Sequence, residues 1–205
     1  MTADVNLTLI LLAALVATAS PGPATLAIAG TSMASGRRFG LALASGVTTG
    51  SLMWSTSAAV GLSAIMLANA WAFEVVRYAG ACYLLFLAFK SARSALARHA
   101  LPAARVAMPT LASAYRRGHL TNPKAILFFG SLFAIGIPAG SPPEVLALVI
   151  LAIGLQSLLV FHGYALLFSS PPLTAGYARL RRWFEAVFAV AFGAAGLKIL
   201  TARLE

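Results

Sequence analysis

One uncharged run sets the terms for this chain. From Val5 to Ser35 there is no Asp, Glu, Lys, Arg or His, and in the middle of the run stands Ser20-Pro21-Gly22-Pro23. A run of that length is enough to cross a bilayer core, which takes about 20 residues as a helix. Two prolines and a glycine in four positions cannot continue such a helix, because each proline lacks an N–H and its ring crowds the carbonyl four residues back. The helix therefore breaks within the membrane, where lipid offers unpaired backbone groups no partner, so irregular backbone must face protein or a polar cavity. Pro21 frees the carbonyl of Ala17 and Pro23 that of Ala19, while Pro23 suits the first position of a new half-helix whose N–H groups point into the gap. A zwitterion suits that pair of poles. The alternative is a proline kink that only shapes packing, since Pro and Gly are common in membrane helices.

The rest of the chain is equally apolar. With 60% hydrophobic residues, 10% charged and a mean hydropathy of +0.87, it falls far from soluble domains, whose charged share is about 25%. Its 205 residues accommodate several spans and no soluble domain beside them. The net charge of +10 is scattered over short loops with no aromatic-interleaved patch, which excludes a nucleic-acid partner. Cys82 is the single cysteine, so an internal disulfide, a redox pair and a cysteine metal cluster are excluded; it reads as a small packing residue. No metal or cofactor is called for. Ala17-Thr18-Ala19 resembles a signal-peptidase site, but Asp4 precedes it without any Lys or Arg, and the apolar run continues past the prolines.

Charges mark the ends of six expected helices: about Val5–Ser35 with its break, Phe39 to before Glu74, Trp71–Ala92, an Arg116-Arg117 stretch continuing past Asn122-Pro123 to Pro138, Glu144–Phe168 and Phe184–Leu204. Pro171-Pro172 and Arg179, Arg181 and Arg182 are expected in the loop before the last helix. The fold class is thus an all-α integral membrane protein, one domain over 1–205, with helices 1 and 4 interrupted at proline. Eleven of the fifteen Lys and Arg residues flank the loops after helices 1, 3 and 5. By the positive-inside rule those loops are cytoplasmic and both termini lie outside the cytoplasm. The halves, 1–93 and 112–205 about a cytoplasmic linker at 94–111, match in outline. Each has a proline-interrupted first helix, and Arg77 to Lys90 and Glu185 to Lys198 both enclose twelve residues. Three spans per half makes the repeat inverted, and paired interrupted helices in inverted halves point to a transporter's central site.

Other motifs each carry two readings. Thr121-Asn122-Pro123-Lys124 has the chemistry of a helix start, with Asn122 as N-cap and Pro123 at the first position. Within the membrane its dipole and Lys124 would favour a carboxylate; otherwise Lys124 snorkels to the headgroups. Gly36-xxx-Gly40 and Gly46-xxx-Gly50 in helix 2 suit close helix packing. Ser45, Thr48 and Ser55 share one face of that helix, which lines a polar path unless the hydroxyls bond their own backbone. Gln156 and His162 lie in helix 5 on faces about 240° apart; His162 is a proton carrier or a hydrogen-bonded structural residue. No carboxylate is expected deep in a span, so the usual acidic proton relay is missing.

Taken together, Ser20-Pro21-Gly22-Pro23, Gly36-Arg37-Arg38-Phe39-Gly40 with Gly46 and Gly50, Gly80-Ala81-Cys82-Tyr83-Leu84, Gly118-xxx-Asn122-Pro123-Lys124-Ala125 with Phe128-Phe129, and Gly196-Leu197-Lys198 resemble the LysE/RhtB family of bacterial amino-acid exporters, in family order over almost the whole chain. The resemblance implies a multi-pass protein of the bacterial inner membrane that exports amino acids or their derivatives, is driven by an ion gradient, and is able to act as a homodimer. The expected function is secondary-active export, with a proton as coupling ion and no enzymatic activity. Ser20, Pro21, Gly22, Pro23, Asn122, Pro123 and Lys124 are the expected substrate-binding residues, and Ser45, Thr48, Ser55, Gln156 and His162 the polar pathway. The alternatives are export of another small metabolite or ion, and a non-transporting membrane scaffold.

Overall fold

A computed structural model of the chain describes residues 7–68, 70–97, 109–120, 128–129, 132–133, 137 and 141–201. Among these residues the structure is helical throughout. The helices are α1 (Leu7–Ala19), α2 (Pro23–Ser35), α3 (Arg37–Ala68), α4 (Ala70–Leu96), α5 (Leu111–Leu120), α6 (Pro143–Leu167) and α7 (Pro171–Thr201), with short helical pieces at 128–129 and 132–133.

The prolines break the first span where expected: α1 stops at Ala19, α2 starts with Pro23 at its first position, and the two axes bend by 46°. The chain turns into α3 at Gly36, whose φ of 85° lies in the region that glycine tolerates without steric cost. That corrects one expectation. Gly36 is a turn residue with open space around it, whereas Gly40 packs against Ser32, and Gly46 meets the Tyr115 carbonyl of α5. Gly118 faces the other way at the same crossing, where a Cβ would stand 2.6 Å from the Leu43 carbonyl oxygen. The crossing of α3 and α5 thus depends on having no side chain at either glycine.

Three further differences have plain physical causes. The expected loop at Pro171-Pro172 and Arg179–Arg182 is the first half of α7, because proline is compatible with the first turn of a helix and the inward row Tyr177, Arg181, Glu185, Phe188, Phe192, buried except for the half-buried Arg181, repeats at helical spacing. Helix α4 continues to Leu96, into the expected linker. Cys82 is exposed on α4 rather than packed. At the start of α5, Ser113 N–H donates to Thr110 Oγ1 at 3.1 Å and Thr110 N–H to Ser113 Oγ at 3.2 Å, a reciprocal cap of the first turn.

The surface pattern is that of a protein in lipid. Leu148, Leu151, Leu155 and Leu159 of α6, and Val187 and Val190 of α7, face outward, while Thr18, Ser20, Thr25, Thr31, Ser51, Ser55 and Ser157 are buried. A soluble fold places those two classes the other way round. Among the described residues, α6 is long and apolar enough to cross a membrane, and the bent α1–α2 pair qualifies taken together.

Two apolar cores meet at the break. Ile10 and Ala14 of α1 pack in one with Leu84, Phe133, Ile153, Phe188 and Phe192; Ala24 and Ile28 of α2 pack in the other with Leu43, Val47, Phe161 and Ala165. Residues 20–22 are the seam between them.

Candidate functional site

At the seam, each backbone group released by the prolines has to find another partner. The Ala19 carbonyl accepts a hydrogen bond from the Tyr164 hydroxyl of α6 at 2.6 Å. Thr25 closes the other side: its Oγ1 accepts from Gly22 N–H at 2.7 Å and lies 3.1 Å from the Gly22 carbonyl, to which it donates. Gly22 has an extended backbone (φ −145°, ψ −179°) that any residue adopts; it is buried and lines both cavities at the break. Tyr164 in turn stacks with Phe168 and meets Tyr177 edge-on, which ties the break to α7. Neither Tyr164 nor Thr25 carries a motif. The sequence signal for both was only their type, a hydroxyl in an apolar helix.

Two cavities adjoin the break. The smaller, of about 40 Å³, is enclosed by Thr18, Ser20, Gly22, Thr25, Ser51 and Phe128 among others. The larger, of about 500 Å³, runs from Ser20, Pro21, Gly22 and Pro23 along α4 and α7 to Lys90, Ser91, Ser94, Arg181 and Glu185. Glu185, expected near a helix end, is instead buried inside the protein, only 3% exposed, midway along α7. Arg181 Nη2 donates to Ser94 Oγ at 2.8 Å, and Ser94 Oγ donates to Glu185 Oε1 at 2.7 Å. The direct approach of Arg181 Nε to Glu185 Oε1 is 3.9 Å, so the serine is the bridge. A buried carboxylate needs a nearby cation and hydrogen bonds to remain charged, and both are supplied here from two helices. The sequence carried a trace of this pair in its four-residue spacing on one helix.

The expected polar pathway is placed differently. Thr48 donates to the Ala44 carbonyl of its own helix at 3.0 Å, and Ser45 Oγ lies 3.0 Å from the Leu41 carbonyl. Ser55 Oγ, Ser157 Oγ and Gln156 Nε2 are buried without a hydrogen-bond partner among the described residues. Ser45, Thr48, Ser55, Gln156 and His162 line neither cavity at the break. Ser45 and His162 do meet, with Oγ and Nε2 3.1 Å apart. His162 Nδ1 lies 2.9 Å from the Leu158 carbonyl, which only accepts, so Nδ1 donates. A neutral ring then accepts from Ser45 at Nε2, and a charged ring donates there, leaving the serine proton to Leu41. Asn122, Pro123 and Lys124 lie outside the described residues. Among the described residues, no three His, Cys, Asp or Glu side chains gather as a metal site would require.

A lipid-facing exterior of leucine and valine, hydroxyls and an ion pair turned inward, and a broken helix opening on a largely apolar cavity with charged groups at its far end fit a helical membrane transporter. The model of the family described as LysE type translocator matches residues 15–203. The chain belongs to that family, and it is a transporter, not an enzyme. It is 30% identical over 198 residues to a threonine efflux protein of Escherichia coli (strain K12), covering 92% of this chain and 94% of that one. The threonine efflux protein of Salmonella typhi is 27% identical over 194 residues, with the same coverage of 92% and 94%. An uncharacterized membrane protein of E. coli K12, YahN, is 29% identical over 190 residues, covering 88% of this chain and 82% of its own length. No solved structure matches the chain.

Proposed function

We propose that this chain is a secondary-active exporter of a small, zwitterionic amino acid across the bacterial inner membrane, with the α1–α2 break as its central site. The observation that carries the reading is the cavity of about 500 Å³ in which Ser20–Pro23 share one space with Lys90, Arg181 and Glu185. Volumes of about 300–1,000 Å³ are those of small-molecule sites. Groups of both signs beside a broken helix suit a ligand that is charged at both ends. Threonine efflux in the relatives supports the substrate class and makes L-threonine the first substrate to try.

In this reading six spans form two inverted three-helix halves, 1–93 and 112–205. Asn122-Pro123-Lys124 forms the second interruption and presents its dipole to the carboxylate, and the halves rock around the site. Both termini lie outside the cytoplasm, and the basic loops after the first, third and fifth spans lie inside. Moving net charge outward against an inside-negative potential costs about 2.3 kcal/mol per 100 mV, which exchange for an inward proton offsets. His162, held between Leu158 and Ser45, is the group proposed to carry that proton. The protein works as a homodimer in this scheme.

The test is efflux of radiolabelled amino acids from preloaded proteoliposomes, with and without a pH gradient. Gradient-stimulated efflux of one class, abolished by Pro23→Ala or Lys124→Ala in well-folded protein, is expected. Well-folded wild type that moves no member of the panel refutes amino-acid export.

A further inference from the structure

The break has one cavity beside it that ends at charges, and those charges stand at a junction. A second cavity, of about 410 Å³, is lined by Ser94 and Arg181 as well, and continues past Ala97 to Arg182. Ser94 and Arg181 of the hydrogen-bonded chain to Glu185 therefore line both spaces, the one that reaches the break and the one beside the last turn of α4. A solute passing from one to the other meets these three side chains.

We propose that Arg181, Ser94 and Glu185 form an entry subsite that admits a zwitterionic amino acid by reading both of its charged ends, the α-carboxylate at Arg181 and the α-ammonium at Glu185. The proposal rests on the exporter reading above and adds residues that the break does not contain. Its logic is exchange. A simple cation drawn to Glu185 would leave Arg181 without the carboxylate it faces, and a simple anion drawn to Arg181 would leave Glu185 without its cation. Uncompensated charge at a buried site is strongly unfavourable. A molecule with both charges replaces the partner at each end, so the internal pair opens without leaving either side alone. Tyr83 and Phe86, on the same wall, supply an apolar face for the amino acid's side chain. An anionic lipid headgroup, the other ligand for cations at a helix end, is disfavoured by the buried Glu185 carboxylate.

The experiment is proteoliposome counterflow of radiolabelled L-threonine by the full chain, competed with N-acetyl-L-threonine, which lacks the ammonium, and with L-threonine methyl ester, which lacks the carboxylate. In wild type each analogue should compete at least about tenfold less well than L-threonine, the effect of one lost charge-assisted bond. Glu185→Gln should raise the KM for L-threonine and close the gap to N-acetyl-L-threonine while keeping the gap to the methyl ester. Arg181→Gln should do the reverse, and Arg181→Lys, which keeps the charge, should retain discrimination against the ester. The Arg181 pair keeps the test decisive where Glu185→Gln does not fold. Variants that transport more slowly with both gaps unchanged overturn the subsite and leave the exporter standing. Phospholipid that co-purifies with wild type and is lost in Arg181→Gln, with the gaps unchanged, assigns the cations to a headgroup instead. Wild type that moves no amino acid removes the exporter reading and the subsite with it.

Discussion

The crossing of α3 with α5 and the pairing of α4 with α7 bury polar groups in opposite ways. At the first, Thr48 and Thr49 donate to carbonyls of their own helix, Thr49 also accepts from the Tyr115 hydroxyl of α5 at 3.2 Å, and Gly46 and Gly118 let the backbones touch. At the second, Ser94 reaches across to Glu185 and Arg181, and space remains beside them. Hydroxyls turned back on their own helix leave the partner helix to be placed by packing; a hydroxyl turned toward a neighbour's charges ties that neighbour in place. A tally of serines and threonines thus favours α3 as the polar path, whereas the cavity runs along α4.

Four substitutions sharpen this contrast. Glu185→Ala removes the carboxylate that Arg181 reaches through Ser94 and should destabilise the detergent-solubilised protein most, by about 3–5 kcal/mol, read from its unfolding transition. Gly118→Ala places a Cβ against the Leu43 carbonyl and should cost about 1–3 kcal/mol by overpacking; unchanged stability would mean that the α3–α5 crossing is loose. Tyr164→Phe keeps the stack on Phe168 but leaves the Ala19 carbonyl unpaired, for about 1 kcal/mol and a measurable drop in efflux. Thr48→Val should change stability by no more than about 0.5 kcal/mol and leave efflux intact, because its hydroxyl serves only its own helix. If Thr48→Val abolished efflux in folded protein, the path would lie along α3 after all.

What the sequence disclosed was local. Proline chemistry placed the break at residues 20–23 and the start of α2 at Pro23, since the lost N–H acts within one turn. Charge placement marked α6, where Glu144 sits in the first turn and favours the dipole there. The same charge logic misplaced the start of α7, because the Arg179–Arg182 cluster read as loop although Arg is a good helix former and the buried row through Tyr177 and Glu185 is periodic. The partners of the break were illegible for a different reason. Ala19 and Tyr164 are 145 residues apart, and Ser94 and Glu185 are 91 apart. No periodicity within one helix reports which side chain of another helix will meet it, so Glu185 was taken for a residue near a helix end.

The most direct test of the account asks whether the larger cavity beside the break is the path. In a Cys82→Ser background, which removes the single native cysteine, Ser91→Cys places a thiol on the wall of the larger cavity, and Thr48→Cys places one on α3 at a residue that lines neither cavity, one turn from Ser51 of the smaller one. The account predicts that a membrane-impermeant maleimide labels Ser91→Cys from the cytoplasmic face only, that L-threonine slows the labelling, and that Thr48→Cys stays unlabelled. Labelling of Thr48→Cys that L-threonine protects, with Ser91→Cys inert from both faces, would contradict it.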